Sequence, residues 1–201
     1  DADVTGTGAI NIADTNALEV INADTNDGTI DLSGASLLVS VVDAGSENVT
    51  LDASTGAIAD NTPGTNNITG GALVADAVTG IDLDTTVTSV DADVTGTGAI
   101  NIADTNALTV INADTNDGTI DLSGTGLLVS VVDAGNENVT LIASSDGITD
   151  GNAGTNNITG NLLTADALSG IDLDTTMTSL DLTVSGTGDI DISETDGISI
   201  T

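Results

Sequence analysis

Thirty-two carboxylates and no Lys, Arg or His stand in this chain of 201 residues. The side chains able to do chemistry are therefore Asp and Glu, helped by Asn, Ser, Thr and turn carbonyls. Their densest arrangement occurs twice: "NADTNDGTIDLSG" runs from Asn22 to Gly34 and returns unaltered from Asn112 to Gly124. Aligning this stretch with the one that follows it sets Asp24 over Asp43, with Asp27, Asn26 and Glu47 nearby. The second copy offers Asp114, Asp133, Asp117, Asn116 and Glu137. Carboxylates stacked at strand spacing, about 5 Å, repel one another, and no basic side chain is present to neutralise them. A hard cation bound by carboxylates and turn carbonyls relieves that repulsion, and calcium suits such oxygen ligands. No cofactor is required by the sequence, and calcium is the one it invites at these eight acidic residues. Neither the EF-hand spacing nor the Gly-rich calcium nonapeptide occurs, so the competing reading is a hydrated acidic surface with diffuse counterions.

Paired carboxylates also serve general acid-base chemistry on polysaccharides. "IDLD" (Ile81 to Asp84) and "SVDADV" (Ser89 to Val94) supply such pairs, since Asp82 and Asp84 share one face of a strand. A sugar site wants aromatic platforms and a lyase wants Lys or Arg, and the chain has none of these. The outward aspartates therefore read as solvated partners of buried Ile81 and Leu83, and no catalytic residue is assigned. The "GTG" stretches at Gly6, Gly96 and Gly186 lack the Lys and helix of a phosphate cradle. They read as tight corners that need positive φ. The sequons at Asn48, Asn138, Asn67 and Asn157 read as chance. A Thr ladder in "TTVTS" (Thr85 to Ser89) could order water, but irregular coil lengths spoil a lattice match.

The elements that position these residues follow from composition and period. A large net charge often marks disorder. Here, however, only 16% of residues are charged and 39% are apolar, all of them small aliphatics apart from one Met. With 24 Gly and a single Pro, Pro63, the chain is neither collagen-like nor a proline-rich linker. It folds, around a thin core. Nucleic acid is excluded as a partner, because phosphates call for basic side chains and stacking aromatics. Direct membrane insertion is excluded too, since no apolar run approaches a span. No cysteine means no disulfide framework. The chain opens in mid-pattern without a signal segment, as a fragment of a longer exported protein would.

"DADVTGTGAINIADTNAL" begins at Asp1 and again at Asp91, a period of 90 residues; 19 positions differ between 1–90 and 91–180, leaving 71 identical. A partial third copy covers 181–201. Inside each copy a shorter unit recurs: an alternating strand, a turn rich in Gly, Asn and Asp, then another alternating strand. "VTGTGAINI" (Val94 to Ile102) aligns with "DTNDGTIDL" (Asp114 to Leu122). "LEVINADTNDGTIDL" aligns with "LVSVVDAGSENVTL", starting from Leu37 or Leu38. Period-2 alternation and β-branched residues mark half-buried strands. Five units of about 18 residues per copy predict one continuous right-handed parallel β-helix over 1–201, about 11 turns and roughly 50 Å long. Ile100, Ile120, Ile102 and Leu122 should stack inside it. An array of immunoglobulin-like sandwiches is the alternative, but it calls for a bulky aromatic core and a linker near residue 90.

"GIDLDTTVTSVDADVTGTG" (Gly80 to Gly98), the preceding "GTNNITG" (Gly64 to Gly70) and the run from Ile158 to Thr201 resemble the strand repeats of very large secreted bacterial proteins of the filamentous-haemagglutinin type. The resemblance covers the whole chain and rests on low-complexity motifs. It implies an extracellular β-helical shaft, displayed at a cell surface or in a matrix, with host or neighbouring-cell glycans as partners and no catalytic residue. The absence of every basic residue departs from many such shafts. Unpaired strand edges on terminal coils add end-to-end or lateral self-association into fibres. The expected role is thus a structural shaft of an adhesin or surface fibre. A calcium-dependent binding module and a polysaccharide-active enzyme are the alternatives.

Overall fold

The computed structural model describes the backbone of residues 1–200 and the side chains of residues 1–199; Thr201, the last residue of the partial third copy, lies outside it. Among the described residues there is no helix, and 24 strands belong to one hydrogen-bonded sheet. Every strand pairing is parallel. Sandwiches are built from antiparallel strands, so that alternative falls. The chain is a β-solenoid of stacked coils.

The strands form where apolar and polar residues alternate, and the pleat turns every second side chain inward. In Ile100–Asp104, Ile100 and Ile102 are buried while Asn101 is exposed. Ile100 pairs with Ile120 and Ile102 with Leu122, all four buried, as expected. One register ladder runs Leu18–Leu37–Ile58–Ile81–Ile100–Ile120–Val139–Leu163–Leu180–Ile200, nine pairings and ten strands long. At about 4.8 Å per step that is a stack of roughly 43 Å. The ladder crosses residues 90 and 180 without interruption: Ser89–Val94 pairs on both sides, and Ile171–Val184 is one strand. Each fully buried Leu, Ile or Val contributes roughly 1.5–3 kcal/mol relative to exposure. A coil can bury its aliphatics only against the coils above and below it.

The register sharpens three sequence expectations. Leu18 pairs with Leu37, which settles the starting residue of that alignment. Val94 pairs with Thr115, one residue beyond the sequence alignment, because the register shifts between Val90 and Asp91 and leaves Ile111 unpaired and 48% exposed. The coil is slightly longer than 18 residues. Five of the nine steps on the ladder are 19 or 20, while Ile58 to Ile81 spans 23 and Val139 to Leu163 spans 24, because the segments between them hold the loops at 61–67 and 151–157. With about 20 residues per coil, 90 residues cover about four and a half coils rather than five. Ile10 therefore ascends through Ile30, Val49 and Leu73 to Val90, while its repeat equivalent Ile100 lies on the ladder of Leu18. Each copy of the repeat enters the stack turned about the axis relative to the copy before it.

The corner glycines also differ from expectation. Positive φ belongs to Gly45, Gly64, Gly80, Gly135, Gly154 and Gly170, and to Asp27 and Asp117, not to the "GTG" glycines. Gly98 is glycine because of crowding. A Cβ there would overlap the Thr79 carbonyl of the coil below, and one at Gly118 would overlap the Gly98 carbonyl. These corners stack backbone on backbone.

Candidate functional site

The rotation between copies brings together residues that no single repeat unites. Asp52 pairs with Asp76, Asp76 with Asp93, Asp93 with Asp114 and Asp114 with Asp133. Five aspartates thus stand in one outward column across the junction of the first two copies, over roughly 19 Å. Ser33 closes the column at one end and Thr159 at the other. A shorter column, Asp3–Asp24–Asp43, occupies the start of the stack. The long column is not rebuilt at the next junction: there the corresponding run is Ile142–Asp166–Thr183.

The residues nominated for calcium are positioned as follows. Asp24 and Asp43 are register partners, as are Asp114 and Asp133. Asp27 reaches the next turn, where its Oδ1 accepts bonds from Ser46 N at 2.9 Å and Ser46 Oγ at 3.1 Å. Asp117 does the same for Asn136 N and Nδ2, both at 2.9 Å. Asp43 and Asp133 accept the N–H of Gly45 and Gly135 at 2.9 Å, closing their own turns. Glu47 and Glu137 lie exposed on those turns, and their N–H groups bond to Ala44 and Ala134. One carboxylate oxygen of each of Asp27, Asp43, Asp117 and Asp133 caps a backbone N–H. Among the described residues no three acidic side chains form a group that could hold a metal ion.

The candidate acid-base pair is likewise divided between structural partners. Asp82 accepts Asn101 Nδ2 at 2.8 Å, and Asp84 accepts Gly64 N at 2.7 Å. Asp93 accepts Asn112 Nδ2 at 2.9 Å. Each of these bonds ties one coil to another. The sequons divide by burial. Asn67 and Asn157 are 1% exposed, and their amides donate inward, Asn67 to Asp60 Oδ1 at 2.8 Å and Asn157 to Asp150 Oδ1 at 2.9 Å. Their Oδ1 atoms accept Asp84 N and Asp174 N. Asn48 and Asn138 are exposed on turns.

Sequence reasoning passed over one acidic position that the structure makes important. Asp104 is buried, with Oδ2 accepting Thr85 Oγ1 at 2.8 Å and Val87 N at 2.9 Å, and Oδ1 accepting Asn106 N. Glu194 takes the equivalent place one copy later, accepting Thr175 Oγ1 at 2.6 Å and Met177 N at 3.3 Å. The available signal was an acidic residue at the end of an alternating strand, "INIAD" and "DISE". No buried side-chain nitrogen or oxygen among the described residues lacks a partner.

Electrostatics single out the second and fourth residues of the five-aspartate column. Burial raises the pKa of Asp76 above the ordinary aspartate value, and Asp93, Asp52 and Asp91 push it the same way. Burial likewise raises Asp114, followed by the charges of Asp133 and Asp93. Asp150 is lowered, chiefly by its hydrogen bond from Asn157. A raised folded pKa means the folded state holds protons that the unfolded chain has released. The stability from Asp76 and Asp114 is complete below the unfolded aspartate range and is lost as pH rises through their folded values. Asp150 acts oppositely, and its contribution is lost as pH falls. Asp76→Asn should therefore raise the melting temperature at neutral pH by about 2 °C and leave it unchanged in acid. Circular dichroism melts at both pH values test this; an equal shift at both would place the effect elsewhere than in charge.

No protein-family model matches the chain, and no curated protein or solved structure matches it.

Proposed function

We propose that this chain is a length of rigid, acidic shaft from an extracellular bacterial adhesin or surface fibre, acting as a spacer without catalysis. The observation that carries the reading is the strand ladder from Leu18 to Ile200, which crosses both copy junctions without a break. A rod extended by copying a unit of this kind gains length without a new fold. The outward carboxylates support it further, since Asp27, Asp82, Asp84 and Asp93 are each engaged in holding neighbouring coils together. Surface export, matrix or cell-surface glycans as partners, and assembly into fibres belong to this proposal through the resemblance of the repeats to haemagglutinin-type shafts. The test is length. A chain carrying residues 91–180 twice should lengthen by about 20 Å in small-angle scattering, with an unchanged cross-section. An added copy that scatters as a separate globule, or release of reducing ends from polysaccharides by the chain, would overturn the reading.

The five-aspartate column favours a second reading, in which calcium stiffens the shaft or joins shafts side by side. Here calcium should raise the melting temperature well above that in sodium chloride of matched ionic strength. Equal values would leave only screening, with a Debye length of about 8–10 Å.

A further inference from the structure

Five Asp-Gly steps occur in the chain: Asp27–Gly28, Asp117–Gly118, Asp146–Gly147, Asp150–Gly151 and Asp196–Gly197. An aspartate followed by glycine can cyclise on itself, because glycine has no Cβ next to its nitrogen to hinder the approach of that nitrogen to the carboxyl carbon. The fold holds three of these steps apart from that reaction and leaves one open. At Asp27–Gly28, Gly28 N donates to Thr25 Oγ1 at 2.9 Å while the Asp27 carboxylate is turned away to Ser46. At Asp117–Gly118, Gly118 N donates to Thr115 Oγ1 at 2.6 Å while Asp117 is bonded to Asn136. At Asp150–Gly151, Gly151 N donates to Val129 O at 2.7 Å, and Asp150 is held by Asn152 N and Asn157 Nδ2.

Asp146–Gly147 is built the other way. Gly147 N donates into the carboxylate of Asp146 itself, 2.9 Å from Oδ1, so the attacking nitrogen is held beside the carboxyl group it must attack. Holding the two reacting groups side by side removes part of the entropic cost of ring closure. Ser169 Oγ donates to the same Oδ1 at 2.8 Å, where it can assist departure of the oxygen. The residue is exposed, at the corner between Val139–Ala143 and Ile148–Asp150, and open grooves flank it on both sides. The first copy has Gly56 and Ala57 here, so the feature belongs to the second copy alone.

We propose that Asp146–Gly147 is a site of spontaneous modification, at which the aspartyl bond isomerises to isoaspartyl through a succinimide. Gly147 N attacks Cγ of the protonated carboxyl, a C–N bond forms, and one water leaves with the amide proton and the carboxyl OH. Water then adds at the Cα carbonyl and opens the ring, so the backbone runs through the former side chain and mass is unchanged. The Asp146 carbonyl accepts Leu168 N at 3.0 Å and Ser169 N at 3.3 Å from the next coil, so isomerisation shifts a backbone group that joins two coils.

The folded chain is held for weeks at neutral pH, digested, and read site by site with electron-transfer fragmentation, which distinguishes the two isomers. Isoaspartate should accumulate at residue 146 about tenfold or more faster than at 27, 117 and 150, where hydrogen bonds must first break. In concentrated urea the four sites should converge. Asp196, whose N–H donates to Glu194 Oε1 at 3.2 Å, is read separately in the same digest. Asp146→Glu should abolish the signal at 146 and leave the other sites unchanged. Equal accumulation at the four sites in the folded chain, or an excess at 146 that persists in urea, would overturn the proposal.

Discussion

Gly98→Ala should lower the melting temperature by about 6–12 °C, corresponding to roughly 3 kcal/mol or more. The reason is local and geometric. A methyl group at Gly98 would overlap the carbonyl of Thr79, and the obstructing atoms are backbone, which cannot swing aside as a side-chain tip can. Relief requires the two coils to separate at this corner. The pairing of Ile81 with Ile100 begins immediately beyond it, starting with the bond from Ile81 N to Ala99 O at 2.9 Å. Gly6, the first glycine of the first copy's motif, is the uncrowded control. It belongs to the same "GTG" motif, a Cβ there meets nothing within 4 Å, and its φ is not positive. Gly6→Ala should stay within about 0.5 kcal/mol of the parent. Equal losses for the two substitutions would mean that flexibility of the motif, and not crowding between coils, is what the glycine supplies.

Asp104→Ala should cost about 2–5 kcal/mol, again read by thermal or denaturant unfolding. The substitution leaves the Thr85 hydroxyl, fully buried, and the Val87 N–H without an acceptor. Each buried donor left unpaired costs roughly 1–3 kcal/mol. Asp104→Asn should fall between parent and alanine, because an amide offers only one accepting oxygen and turns its NH2 toward a donor. Asp14 occupies the same place in the first copy but is exposed, and its carboxylate accepts only from Asn16. Asp14→Ala should therefore cost about 0.5–1 kcal/mol, in the range of an ordinary exposed turn cap. If Asp14→Ala and Asp104→Ala cost the same, the buried bonds to Thr85 and Val87 are not what stabilises this position.

Several features of the molecule were determined by the sequence alone. Alternation in "AINIA", "GTIDLS" and "NVTL" dictates strands with one buried face, because side chains on a pleated strand point alternately to its two sides. Recurrence of that unit with turns between dictates stacking, since a thin aliphatic coil has no other surface against which to bury Ile100 or Leu122. The pairing of Asp24 with Asp43 and of Asp114 with Asp133 follows from the same alignment.

What the repeat could not reveal was its phase relative to the coil. That phase depends on the total length of every turn and loop, and the loops at 61–67 and 151–157, with the bulge at Ile111, lengthen the coil beyond the strand rhythm. Because 90 residues then end part-way around, Asp76 of one copy meets Asp93 of the next, and the column of five aspartates appears at one junction only. The glycines of "GTG" and the carboxylate of Asp104 were legible as residue types, but their purpose lies in the neighbouring coil. Contacts between residues about 20 positions apart are fixed by the stacking of whole coils, and only the tertiary structure sums the lengths that decide which residues face each other.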